Sequence, residues 1–154
     1  MHARRVLFVG FLAGVAAAQA TAQVPRLRTT RPLELHLAED ESAPGLLAVH
    51  VNGEARIVYV HREIQLDDHD SRSAAVVRDA SGQPAVQVHL RKAGVEKFNA
   101  IVKGNAHKML AIASKDQVVS VAYIEGTPLI DDLLDITGRF TGPEAAALAR
   151  ALSR

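Results

Sequence analysis

From Leu33 the chain alternates apolar and polar residues, Leu33-Glu34-Leu35-His36-Leu37, the period-two pattern of a strand with one buried face. The acidic stretch Glu39 to Gly45, with Pro44 and Gly45, ends that strand in a loop. Leu46 to Val51 and Ala55 to Val60 are β-rich runs around Asn52-Gly53, a dipeptide that accepts positive φ at both centres of a tight turn, and they predict a hairpin. A second hairpin is predicted from Ala74–Asp79 and Ala85–Leu90, with Val86, Val88 and Leu90 on one face against Gln87 and His89. Lys108–Ala113 and Val118–Ile124 make a third around Ser114-Lys115-Asp116-Gln117, with Val119, Val121 and Tyr123 sharing a face.

Between the second and third hairpins the period changes. Val95, Phe98, Ile101 and Val102 recur at helical spacing over Gly94–Lys103, and Gly104-Asn105 supplies the stop. The last helix is announced by Thr141-Gly142-Pro143-Glu144, a capping-box spacing, followed by the stripe Ala145, Leu148, Ala149 and Leu152. Strands outnumber helices and most links are hairpins. The fold class is therefore α+β, a mainly antiparallel sheet with about two helices packed on one face, Phe98 and Leu148 sharing its core. Segment 61–73, rich in Asp, His and Arg, reads as a solvated connection with its secondary structure left open, as is that of 128–135.

The N-terminus changes the picture of where this domain works. Arg4 and Arg5 precede an unbroken apolar run, Val6 to Ala18, and Ala18-Gln19-Ala20 or Ala20-Thr21-Ala22 offers a small-x-small cleavage site. Residues 1–22 are thus expected to be a signal peptide, 23–32 a flexible leader carrying Arg26, Arg28 and Arg31, and 33–154 the folded domain. The apolar run falls short of the roughly 20 residues that a membrane-crossing helix needs, so no transmembrane segment is expected in the mature chain. Lys+Arg number 18 and Asp+Glu 17; loss of Arg4 and Arg5 leaves a mature charge of −1, which argues against nucleic acid as a partner. No cysteine is present, so disulfides, thiol nucleophiles and cysteine-based metal centres are excluded.

The order of motifs in the second half resembles a known family. Asp79-x-x-Gly82-x-Pro84-x-Val86 leads to Gly94-x-x-x-Phe98 and then to Asn105-x-x-Lys108-x-Leu110-Ala111-Ile112. Val118-Val119-Ser120, Pro128-Leu129-Ile130 and Ile136-Thr137-Gly138-Arg139-Phe140-Thr141 follow, before the Glu144–Leu152 stripe. This succession resembles the head subdomain of the first periplasmic domain of SecD, the accessory subunit of the bacterial protein-export channel. The resemblance implies an α+β head-like domain on the periplasmic side, contact with extended or unfolded polypeptide or with an export or envelope protein, and no catalytic residues. No stretch of this sequence corresponds to the transmembrane bundle of SecD.

Candidate chemistry is sparse. His61, Asp67, Asp68, His69 and Asp70 are ligand types for zinc or manganese, which makes a metal-dependent enzyme or metal-binding factor built on segment 61–70 the alternative to a binding module. They lack His-Glu-x-x-His or calcium-loop spacing, so neither a metal site nor any other cofactor is expected. Ser71 and Ser73 beside His69 lack a nucleophile elbow, and no catalytic set is expected. Phe98, Phe140 and Tyr123 fall on inferred buried faces, leaving Tyr59, near a strand end, as the residue expected to meet a partner. The sequence reading is a non-enzymatic, periplasmic polypeptide-binding module. Sequencing of the exported protein should start at Thr21 or Gln23; an intact Met1 in a membrane fraction would overturn the export reading.

Overall fold

The computed structural model describes residues 26–153. The elements run β1 (Glu34–Glu39), β2 (Leu47–His50), β3 (Ile57–Asp67), a 3-10 turn (Asp68–Asp70), β4 (Ser71–Arg78) and β5 (Pro84–Leu90). They continue with α1 (Lys92–Gly104), β6 (Met109–Ser114), β7 (Gln117–Tyr123), β8 (Leu133–Ile136) and α2 (Gly142–Leu152). The α+β class and the three hairpins stand as expected, but the strands divide between two antiparallel sheets: β2-β3-β1-β6-β7 and β4-β5-β8. The signal-peptide segment lies outside the described residues.

The two segments without a sequence assignment are partly strand. β3 runs on through His61 to Asp67, and β8 pairs with β5, Val86 opposite Ile136. Segment 61–73 is therefore a sheet-to-sheet corner rather than a solvated loop. Bulges between Leu35 and Ala38 insert extra residues into β3, which lets Val58 and Val60 face one side of the sheet and Leu66 the other. The corner closes on a capping box in which Asp67 accepts from the turn and Asp70 accepts from the Asp67 amide. α1 packs directly on this turn at Gly94, where a Cβ would stand 2.7 Å from the Asp70 carbonyl oxygen.

Apolar side chains form two clusters. Leu35, Leu110 and Ile112 of the larger sheet join Val86, Val88 and Ile136 of the smaller one and Phe98, Ile101, Ala145, Leu148 and Leu152 of the helices in the main core. Phe98 and Leu148 thus share one core, as the periodicities predicted. The opposite face of the larger sheet carries the second cluster, which includes Ala38, Val58, Val60, Met109, Ala111, Ala113 and Val118. That sheet curls until its two outer strands meet, the Asn52 amide donating to the Val118 carbonyl at 2.8 Å beside a parallel Val51–Val118 bridge.

Segment 26–32, expected as part of a flexible leader, is tied to this curled sheet. Leu27 is buried in the second cluster. The Thr29 amide donates to Asp116 Oδ1 at 2.6 Å, and Ser114 Oγ donates to the Pro32 carbonyl at 2.7 Å. The strongest tie is Glu34, only 1% exposed, whose Oε1 accepts from the Thr30 amide at 2.7 Å, the Thr30 hydroxyl at 3.1 Å and the Arg31 amide at 3.1 Å. Its Oε2 accepts from His36 Nε2 at 2.9 Å, while His36 Nδ1 donates to the His61 carbonyl at 2.9 Å. Both ring nitrogens and both carboxylate oxygens are thereby partnered, so the alternation that predicts one wet face on β1 instead places a buried, hydrogen-bonded pair there.

Burial by itself would raise the Glu34 carboxyl, but the His36 bond, the Thr30 amide and hydroxyl and the Arg31 amide outweigh it and hold the group below its ordinary value of 4.5. A carboxyl lowered in the folded state adds stability that is present above 4.5 and disappears as pH falls through the folded value. Thermal melts from neutral pH into the acid range should show this loss in the wild type and less of it in Glu34→Gln. Glu34→Ala should cost about 1–3 kcal/mol more than Glu34→Gln, because the alanine leaves the Thr30 and Arg31 amides and the His36 ring without the acceptor that the glutamine carbonyl keeps. Equal acid sensitivity in wild type and Glu34→Gln would remove Glu34 as its source.

Candidate binding surfaces

The structure disperses the residues of segment 61–70. His61 Nε2 pairs with Glu39 Oε1 at 2.8 Å on the larger sheet, and Asp70 Oδ1 takes Lys97 Nζ of α1 at 2.8 Å, a bond that raises the Lys97 amine above its usual range. Only Asp67, Asp68 and His69 converge, their ligand atoms within 4.8 Å of one another. A cation already serves them. Arg31 binds Asp68 through two nitrogens, Nε at 2.8 Å and Nη2 at 3.2 Å, lies 3.9 Å from Asp67, and rests against the His69 ring. Ser71, 2% exposed, donates its hydroxyl to the Leu152 carbonyl at 3.0 Å and is spent on packing β4 against α2.

The tyrosines are placed differently from expectation. Tyr59 is half-buried on β3, opposite Ala48 of β2 and Glu39 of β1. Tyr123, expected in the core, is 60% exposed. The bulge that shifts β7 between Ile112 and Ala113 puts Tyr123 opposite Met109 at the rim of the second cluster. There Arg56 stacks 5.3 Å from the ring centroid and donates to the Tyr123 hydroxyl at 3.0 Å.

The smaller sheet presents an open edge. Its inner face joins the main core through Val86 and Val88, while its outer face carries Gln87, bonded to Asp135 at 3.0 Å, and His89 beside Asp132. The Arg72 bond, with His89, holds the Asp132 carboxyl below its usual range. On β4 the odd residues pair with β5, as the Asp79 amide to the Gln83 carbonyl at 2.9 Å shows in the same register. The even residues Ala74, Val76 and Arg78 turn their amides and carbonyls away from the sheet. Ala74 is met by Ser153, whose Oγ lies 3.0 Å from both its amide nitrogen and its carbonyl oxygen. Among the described residues nothing meets Val76, whose side chain is 45% exposed at the rim of the main core. Sequence reasoning missed this edge because β4 carries no Pro or inward charge that would mark it.

These features define a class: an α+β domain with one curled sheet, a helix pair in the main core, and a second sheet with an unpaired outer strand. The sequence profile described as SecDF, P1 head subdomain, matches residues 45–154, and the chain belongs to that family. It is 41% identical over 83 residues to the protein translocase subunit SecD of Aquifex aeolicus (strain VF5), a match covering 54% of this chain and 16% of that protein. A crystal structure of SecDF in a super-membrane-facing form superposes with a TM-score of 0.64 at 20% identity, over 79% of this chain and 18% of the other. A second solved structure, described as that of a membrane component SecDF that enhances protein export, gives 0.61 at 18% identity over 79% of this chain and 61% of the other. The match to the curated relative spans about a sixth of that protein's length. No helix among the described residues is long and apolar enough to cross a membrane.

The Arg31 contacts yield a test of the acidic cluster. Added zinc or manganese should leave the wild-type melting temperature unchanged, whereas Arg31→Ala, with the carboxylates uncovered, should gain a metal-dependent increase. A metal-dependent rise in the wild type would show that the guanidinium does not fill the cation's place.

Proposed function

We propose that the chain is a periplasmic, non-catalytic module of the export machinery that binds extended polypeptide by strand addition at the outer edge of β4. The observation that carries this reading is the outward amide and carbonyl of Val76, without a partner among the described residues and beside an apolar side chain. A strand added there gains main-chain hydrogen bonds whatever its sequence, and an apolar residue opposite Val76 extends the core rim. Such recognition suits a module that meets many unfolded clients. Membership of the SecDF head family, whose SecD relative is named a protein translocase subunit, supports the setting. Export by the expected signal peptide and a near-neutral mature charge agree with it, the latter disfavouring an electrostatic ligand.

Val76→Pro is the discriminating variant. Proline is accepted on an edge strand where the amide it removes makes no ladder bond, so the fold should persist while one docking donor disappears. Fluorescence anisotropy with several unrelated unfolded peptides should show binding that changes little between low and high salt and weakens about tenfold in Val76→Pro. Tyr59→Ala, altering the β2–β3 face, should bind as the wild type does. Loss in Tyr59→Ala with Val76→Pro unaffected would move the site to that face, and no binding in the wild type would discard the reading.

A further inference from the structure

The outer edge of β4 is open at Val76 and closed one pairing position earlier, at Ala74, by a single hydroxyl. Ser153 follows the last turn of α2, where its amide donates to the Arg150 carbonyl at 3.3 Å. Its Oγ accepts from the Ala74 amide at 3.0 Å and faces two carbonyls, Ala74 at 3.0 Å and Ala149 at 2.8 Å. A serine hydroxyl has lone pairs to spare but one proton. The Ala74 amide is therefore satisfied, while the Ala74 carbonyl shares its donor with the helix. Three residues before Ala74, Ser71 Oγ donates to the Leu152 carbonyl, so the C-terminal end of α2 is stitched to β4 at two points.

We infer that Ser153 is an edge cap that sets where a strand pairs on β4: it stands in for one residue of a neighbouring strand at Ala74 and confines an added strand to Val76 and Arg78. The inference rests on the edge-binding reading above and adds to it a residue that fixes the register and length of the docked segment. Without the hydroxyl, both Ala74 groups face outward like those of Val76, and the edge lengthens by one pairing position. Ser153 is exposed, so its removal leaves the core intact.

Amide hydrogen exchange on the full chain, read by residue, tests this in Ser153→Ala and Ser153→Thr with and without an unfolded peptide. In the free protein Ser153→Ala should exchange Ala74 faster than the wild type, and Ser153→Thr, which keeps a hydroxyl, should not. The peptide should protect Val76 and Arg78 in the wild type but Ala74 as well in Ser153→Ala, with affinity about fivefold higher for the added main-chain bond. Unchanged Ala74 exchange in free Ser153→Ala overturns the cap whatever the peptide does. Protection at Val76 with the same footprint and affinity in both proteins overturns the cap and leaves the edge reading standing. Absence of protection at any β4 amide overturns the edge reading itself and the cap's role in docking with it.

Discussion

Strand β1 is buried on both faces, and much of the architecture answers that constraint. A central strand with Leu35 toward one cluster and Ala38 toward the other needs cover on each side. The helices and the smaller sheet cover one side; the curl of the larger sheet, plugged by Leu27, covers the other. Glu34 and His36 lie on the plugged side and cannot reach bulk water, so each polar atom must find a protein partner. They do so by binding each other, the strap at Thr30 and Arg31, and the β3 bulge at His61. One buried pair therefore holds the N-terminal strap, the central strand and the bulged strand in mutual register. The same strap delivers Arg31 to the acidic corner where β3 passes into the second sheet.

The curled sheet has few free backbone groups, because its outer strands approach each other at Val51 and Val118. The smaller sheet cannot close in that way. With three strands, its inner face is occupied by α2 and the core, and the outer strand β4 is left with a row of outward amides and carbonyls. Such a row is a hazard unless it is covered or used. Ser153 covers the position at Ala74, and among the described residues nothing covers Val76. An edge of this kind offers main-chain bonds to strands of many sequences.

The charged corner shows how the same residue types can serve packing rather than chemistry. Two aspartates and a histidine would form a weak ligand set, but their charge is met by a guanidinium delivered from a distant point in the sequence. Asp70 is met by Lys97, and Asp116 is held below the usual carboxyl range by the amide and hydroxyl of Thr29. In each case the carboxylate fastens one segment to another. The polar groups of this domain are largely structural joints.

The sequence by itself determined the element types, because they depend on local periodicity and capping. The alternations around residues 35 and 86, the stripe from Val95 to Val102 and the Thr141–Glu144 capping box survive in the structure, whereas the alternation around 119 is broken by the β7 bulge. It also carried the family, through the order of short motifs from Asp79 to Leu152. What only the tertiary structure decided were the properties that depend on which face meets which neighbour. Period two shows that Glu34 and His36 share a side, not that a second layer buries that side. Bulges flipped the facing of β3 and β7, exposing Tyr123 where an unbroken alternation buries it. The open Val76 edge and its Ser153 cap arise from strand order and from where a helix ends, and neither quantity has a local signature in the chain.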